Sequence, residues 1–314
     1  MTAMPRKNTK NPQTLKSDSI LTWDATTTTV RRIRMKITNK YNLPKPFVKM
    51  AESDYQPTPN RYSVTTLLKP VREIILSRRH YNEMEQDIAD MTWALFGTAV
   101  HKILEDYGEN TSEVFLTVPI GKYEVSGRID LIDGDTVIDY KTTSIWKFKM
   151  GDFSDWEKQT KMYAFLLTAQ GTLINHGKII AILRDHRNGE ARKDFEYPHP
   201  IETITFDFDD YSDIEYFIRQ KLASINEYED KPDDELPACT DEERWARNGG
   251  YAVMKKGRKS ALRLLSSQED AEEWKEANGG DFIEYRPPYY AKCEDYCPVA
   301  KWCDIYNKNR KGND

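Results

Sequence analysis

Cysteine is missing from the first 238 residues of this 314-residue chain, and the four that occur all lie in its last quarter. No apolar run approaches the roughly 18 residues needed to cross a bilayer, so no membrane partner is expected. The phosphate-cradling pattern G-x-x-x-x-G-K-[ST] is absent too, which excludes a helicase motor in this chain. The opening stretch, MTAMPRKNTKNPQ, has basic residues with no apolar core behind them. It is therefore no secretory signal, and the expected location is cytoplasmic. Positive charge is also short: 46 Lys and Arg face 51 Asp and Glu, for a net charge of −5. No overall basic field draws a polyanion. Contact with nucleic acid would have to come from local clusters, namely Arg31-Arg32-Ile33-Arg34, Arg78-Arg79-His80 and Lys255-Lys256-Gly257-Arg258-Lys259. Each of these also reads as a solvated face. No internal repeat is visible.

What is present is globular: 39% hydrophobic residues, seven Trp and eighteen Tyr. That suffices for one large domain, or a core with a satellite. Residues 1–60 are first polar and then punctuated by proline, and read as a flexible or extended arm. From Ser63, Leu67, Leu68, Val71, Ile74 and Ile75 suggest a helix that Pro70 breaks or restarts. Residues 88–107 give the clearest amphipathic helix, with a stripe of Phe96, Val100, Ile103, Leu104 and Tyr107. Strands are expected at about 114–120, 123–132 and 135–143. A helix follows, opened by a Ser154–Glu157 capping box and closed at Gly171. Strands near 177–184 and 203–208 and a helix over 212–228 complete the series. The order α-β-β-β-α-β predicts an α/β (α+β) fold, a mixed sheet flanked by helices.

The chain is organised around EVSGRIDLIDGDTVIDYKT, Glu124 to Thr142, where alternating runs flank Asp133-Gly134. A two-residue loop at that dipeptide sets Asp130 opposite Val137. Side chains alternate with period two, so Val137, Asp139 and Lys141 share the face of Asp130. Two carboxylates and an ammonium then converge on one patch. Such a patch suits a hard cation such as Mg²⁺, with the lysine beside an attacked phosphate or its water. It also reads as a solvated ion-pair ladder. On the preceding helix, His101 and Glu105 stand at i and i+4. On the following helix, Gln159 and Tyr163 have the same spacing, which alone fits an exposed pair on an amphipathic helix.

Taken in order, GTAVHKILE, GRIDLI, VIDYKTT and QTKMYAFLL resemble the motif series of the PD-(D/E)XK nuclease superfamily. More narrowly they are similar to its RecB-like branch, which includes iron–sulfur CRISPR adaptation nucleases and phage-borne recombination exonucleases. The resemblance implies a restriction-endonuclease-like core over residues 61–230. It implies Asp130 and Asp139 as ligands of Mg²⁺ or Mn²⁺, with the Tyr140 carbonyl, His101 and, through water, Glu105. Lys141 would position or activate the attacking water, and Gln159 and Tyr163 would hold the phosphate backbone or orient the metal site. The implied protein is a metal-dependent DNA exonuclease of phage-type recombination or repair, cytoplasmic in a bacterial host. Its substrate would be single-stranded or end-containing DNA, with an annealing protein as a possible partner. Alternatives are a non-catalytic nucleic-acid-binding subunit and an endonuclease or resolvase of the same fold. Trp146, Lys147, Phe148 and Lys149 follow the catalytic strand and would line a strand channel, or else Trp146 and Phe148 pack into the core.

The cysteines form a second constellation, Cys239 and then Cys293-x3-Cys297-x5-Cys303. Disulfides are disfavoured in a cytosolic chain, so four clustered thiols point to a metal. Zinc sites generally use two close pairs, whereas here one cysteine is remote. Pro298 after Cys297 is a feature of iron–sulfur loops. The three-cysteine segment resembles that of iron–sulfur nucleases, which implies a 4Fe-4S cluster. Those relatives take a fourth cysteine from upstream of the core, where this chain has none, so Cys239 must serve. Structural Zn²⁺ and unligated thiols remain the alternatives. Residues 231–314 are read as a small cysteine-rich α+β subdomain: two short strands, a capped helix and a returning strand.

Overall fold

Gly121 and Gly134 open the two tight turns around which the central sheet is folded, with φ of 63° and 60°. In a computed structural model of the protein the described residues are 35–51, 57–108, 112–247 and 249–311. The Arg31–Arg34 cluster and most of the expected arm lie outside them. Six strands build the sheet: β1 (Arg61–Ser63), β2 (Ser112–Ile120), β3 (Tyr123–Asp133), β4 (Thr136–Thr143), β5 (His176–Leu183) and β6 (Ile201–Asp207). The order is β1-β3-β4-β5-β6, and β2 also pairs with β3. β1 with β3 and β4 with β5 run parallel, while the other pairs are antiparallel. The sheet is mixed, as the element order predicts.

β3 is the strand that creates the site. One edge pairs with β2 almost throughout. The other edge holds β1 at residues 124–126 and β4 at residues 131–133. Between them the edge of β3 forks open over residues 127–130. The β3–β4 register is Asp133↔Thr136 and Leu131↔Ile138, so the loop is Gly134-Asp135, one residue later than the sequence suggested. Glycine takes the first loop position, as a type II′ turn requires. The shift changes the facing partner of Asp130 by two residues, to Asp139. A shift of two preserves the side-chain face, and the convergence survives.

Helices cover the sheet: α1 (Val71–Arg79), α2 (Thr92–Asp106), α3 (Ile145–Met150), α4 (Ser154–Ala169) and α5 (Ser212–Tyr228). α5 buries Ile214, Ile218, Leu222 and Ile225, a helical stripe. With Met162 and Leu166 of α4 it packs on Val125, Ile129 and Val137 of the sheet. Gly171, at φ 92°, ends α4 with its N–H on the Thr168 carbonyl. The capping box does not form: Ser154 lies inside α4, and its N–H and hydroxyl both donate to Asp152. α1 starts directly after Pro70, which supplies a fixed φ and needs no N–H there.

Two further expectations change. Within the expected arm, residues 36–51 are not merely flexible or extended, because Lys45–Ala51 is helical and Lys36–Thr38 pairs in parallel with Glu85–Asp87. Pro44 precedes that helix and Pro46 sits in its first turn, where a missing N–H costs nothing. Helix α2 forms, but its apolar stripe is not core. Phe96, Ile103 and Tyr107 are 42%, 59% and 89% exposed, and only Leu95 is buried. The helix touches β4 where Gly97 lies over Thr142, and an added Cβ would sit 3.4 Å from the Thr142 hydroxyl.

Beyond α5, β7 (Gly250–Met254), β8 (Arg263–Leu265) and β9 (Phe282–Arg286) form a three-stranded antiparallel sheet in the order β8-β7-β9. Helix α6 (Gln268–Asn278) packs beside it, capped by the Ser267 hydroxyl at the Asp270 N–H. No described helix is long and apolar enough to cross a membrane.

Candidate active site

Asp130 lies at the fork of β3, 8% exposed. The Tyr140 N–H donates to its Oδ2 at 2.7 Å, which links the two strands where their ladder has ended. Its Oδ1 is 3.3 Å from Nδ1 of His101 on α2. The other imidazole nitrogen, Nε2, lies 3.0 Å from the Tyr140 carbonyl oxygen. Glu113 completes the group, with Oε1 4.0 Å from His101 Nδ1. Both ring nitrogens thus face oxygen acceptors, and the hydrogen bond to Asp130 raises the imidazole pKa despite burial. His101, Glu113 and Asp130 are the one trio of possible ligand atoms within 4.8 Å of one another among the described residues.

Asp139 enters from β4, 3% exposed. Burial pushes its carboxyl up to about 6, against the pull of Lys141. Oδ1 accepts from Gln159 Nε2 at 3.2 Å. Oδ2 is 2.7 Å from Lys141 Nζ, but the approach lacks hydrogen-bond geometry and that buried oxygen has no hydrogen-bond partner. Gln159 ties three groups together: it accepts from Lys141 at 3.0 Å and donates to Tyr163 Oη at 3.1 Å. Tyr163 fits because residue 127 is glycine: a Cβ there would stand 3.0 Å from the ring. Burial raises the Tyr163 phenol, which stays protonated.

An incompletely bonded buried carboxylate oxygen, a second carboxylate, a third at the rim, an imidazole and a backbone carbonyl make a hard-cation donor set. The sequence matches the PD-(D/E)XK nuclease superfamily over residues 109–304. The chain belongs to that superfamily. Its members use divalent metal ions, and the donors here fit one. Among solved structures, similarity extends to SSO0001, at 16% identity over 64% of this chain and 88% of that one, with a TM-score of 0.42. It extends also to a phage-related exonuclease from Haemophilus somnus 129PT, at 13% identity over 53% and 82%, with a TM-score of 0.36. An alkaline exonuclease from Laribacter hongkongensis matches at 16% over 54% and 89%, again with a TM-score of 0.36. None of the curated proteins matches.

Of the residues expected at the nuclease site, Asp130, Asp139, Tyr140, Lys141, Gln159, Tyr163 and His101 come together. Glu105 does not, since its carboxylate pairs with Lys102 at 3.0 Å. Glu113 takes that place, and the sequence reading missed it. The β2–β3 turn carried the signal. Ile120 pairs with Tyr123, and counting back along the two strands sets Glu113 between the pairs Ser112↔Leu131 and Val114↔Ile129, across from Asp130. The cluster Arg78-Arg79-His80 is not a free basic patch. Arg78 lies over the Tyr62 ring at 3.7 Å, Arg79 bonds Asp233 and the carbonyls of residues 228, 229 and 231, and His80 stacks on Trp302. Lys147 and Phe148 are likewise committed, to Asp155 and to the Phe153–Trp156 cluster. Trp146 is 68% exposed.

The four cysteines, all free, line a single cavity with Arg72, Glu73 and Lys292. No three of their sulfurs lie within 4.8 Å of one another. Burial pushes the thiol of Cys239 up to about 12 and that of Cys297 up to about 11. Without a metal these thiols are neutral.

Proposed function

We propose that this nuclease-superfamily member is a metal-dependent deoxyribonuclease that digests DNA from its ends. What carries the reading is the cluster of Asp130, Glu113 and His101 at the β3 fork, beside Asp139, whose buried Oδ2 meets only the Lys141 ammonium, at 2.7 Å. Asp130, Asp139, the Tyr140 carbonyl, His101 and Glu113 would hold Mg²⁺ or Mn²⁺. Bound there, the cation would polarise the phosphoryl oxygen and lower the pKa of the attacking water. Lys141 stands at the mouth, 22% exposed, and its ammonium orients that water and offsets charge developing on the phosphate. Gln159 positions Lys141 and Asp139 rather than touching the phosphate, and Tyr163 braces Gln159 in turn. A place in phage-type recombination or repair, beside an annealing protein, follows from the RecB-like motif order.

We assign the four cysteines to a 4Fe-4S cluster. A single zinc with Zn–S of about 2.3 Å draws its sulfurs to about 3.8 Å of one another. Four thiols lining one cavity, with Pro298 directly after Cys297, are the features that support a polynuclear centre, which would share the thiolates among several metals.

The test of the activity is digestion of end-labelled linear DNA and of covalently closed circles, single- and double-stranded, with Mg²⁺ or Mn²⁺. Linear DNA should be degraded and closed circles spared. Equal cutting of closed circles would replace the exonuclease by an endonuclease. No cutting under any condition would leave a binding subunit.

A further inference from the structure

The apolar face that α2 leaves uncovered lies beside the catalytic groups. Trp93 and Phe96 are 60% and 42% exposed, with rings edge to face at 6.4 Å. One turn further along, Gly97 rests on Thr142, the residue after Lys141. Arg184, exposed at the end of β5, lies over the Trp93 ring at 4.7 Å and donates to the Thr142 carbonyl at 3.4 Å. Its backbone N–H bonds the Thr143 carbonyl at 2.9 Å. The next residue, Asp185, accepts from the N–H of Ile145 at 2.7 Å and so fixes the start of α3. Trp146, on that first turn, is 68% exposed. Three exposed aromatic side chains, and Arg184 with no carboxylate partner among the described residues, thus lie on the elements that flank the end of β4.

We propose that Trp93, Phe96 and Trp146, with Arg184, form a base-stacking platform that receives a single-stranded or frayed DNA end beside the metal site. The proposal deepens the nuclease reading and rests on it. A strand lying across Lys141 continues over the residues that follow it on β4, so the platform is the next surface met by the same chain. Exposed rings offer stacking to any base, and the Arg184 guanidinium, which meets a ring and a carbonyl but no carboxylate among the described residues, offers charge to the phosphates between them. Bases in an intact duplex have no free face, so the platform selects unpaired nucleotides. A second copy of this chain is the competing occupant of the apolar rings, and the sedimentation outcome below separates it from DNA.

The measurement is 2-aminopurine fluorescence in a single-stranded oligonucleotide, titrated with the whole protein with Ca²⁺ in place of Mg²⁺ or Mn²⁺ and with uncut oligonucleotide verified on a gel. Binding by the wild type should quench the probe. Trp93→Ala and Trp146→Ala should each abolish most of the quench and weaken binding on the order of tenfold. Trp93→Phe, which keeps a ring, should restore both, and unchanged melting of all three variants shows that folding is intact. Alanine variants that bind and quench like the wild type overturn the proposal. So does a dimer, seen by sedimentation, that these variants lose while DNA affinity holds. If the wild type quenches the probe but cuts nothing with Mg²⁺ or Mn²⁺, the activity fails and the platform stands.

Discussion

Asp139 carries the chemical argument at the scale of single residues. A carboxylate at 3% exposure, with burial pushing its pKa upward against the pull of a single ammonium, Lys141 at 2.7 Å, is costly unless a metal cation shares it. Replacing Asp139 or Lys141 by alanine should lower cleavage by several kcal/mol of transition-state stabilisation, on the order of a thousandfold, with DNA binding retained. Full activity in both variants would move the catalytic centre elsewhere. A second prediction separates the two candidate glutamates. Glu113→Gln should weaken Mn²⁺ binding by about tenfold or more in calorimetric titration, and Glu105→Gln should leave it unaltered. The reverse result would return the helix pair His101–Glu105 to the site. Most of the site was legible because β-strands repeat every two residues, and a slip of two in the hairpin register leaves every side chain on its face. Glu113 escaped the reading because the expected strand began at about residue 114, just past it; it is the second residue of β2, at φ 53°.

Among the elements, α1 is the strut between the nuclease core and the cysteine-rich segment. Arg72, 3% exposed, bonds Asp304 at 2.5 Å and the carbonyls of Leu236 and Pro237. Glu73, 4% exposed, meets Lys292 at 2.9 Å and Lys69 at 3.2 Å. Arg72→Met strands the Leu236 and Pro237 carbonyls, while Asp304 keeps Lys308 at 2.9 Å, and should cost about 2 kcal/mol in urea unfolding. A loss below half of that would mean the strut is dispensable. The far end of α1 carries a pH dependence. Partial burial pushes the Asp233 carboxyl up, but hydrogen bonds from Arg79 and His80 outweigh it and hold the folded value below 3.8. The contribution is therefore present above pH 3.8 and lost as pH falls through the lower folded value. Asp233→Asn should melt lower than the wild type at pH 7, and the gap should close in strong acid. A gap that persists unchanged would assign the effect to packing. The lengths of α4 and α5 were readable from their period, and for α4 from the closing Gly171, since both faces of their pattern are answered by the sheet and by water. α2 misled because an apolar stripe records affinity for something nonpolar without saying whether this chain or a ligand supplies it. Short pieces such as Lys45–Ala51 were unreadable, because prolines in a first turn look the same as prolines in a loop.

For the whole molecule, the question is what holds the last third of the chain beside the core. The C-terminal sheet is small, and its buried residues Ala252, Val253 and Met254 cannot alone fix a segment of that size. Val299, with Cys297 and Cys303 partly buried beside it, packs against Ile75 and Leu76 of α1, so the cysteine cavity stands on the strut itself. A cluster joining Cys239 to Cys303 closes a loop of about 64 residues, which restricts the unfolded chain by about 4 kcal/mol in the cross-link model. Folding and cluster binding should therefore be coupled. Protein purified without oxygen should be brown and contain iron and acid-labile sulfide in equal amounts. Cys297→Ser, or removal of the iron by a chelator, should bleach it and lower the unfolding free energy by about 4 kcal/mol. A colourless protein with one zinc per chain would sink the cluster assignment and leave the carboxylate site at the β3 fork untouched, because the two sites share no ligand.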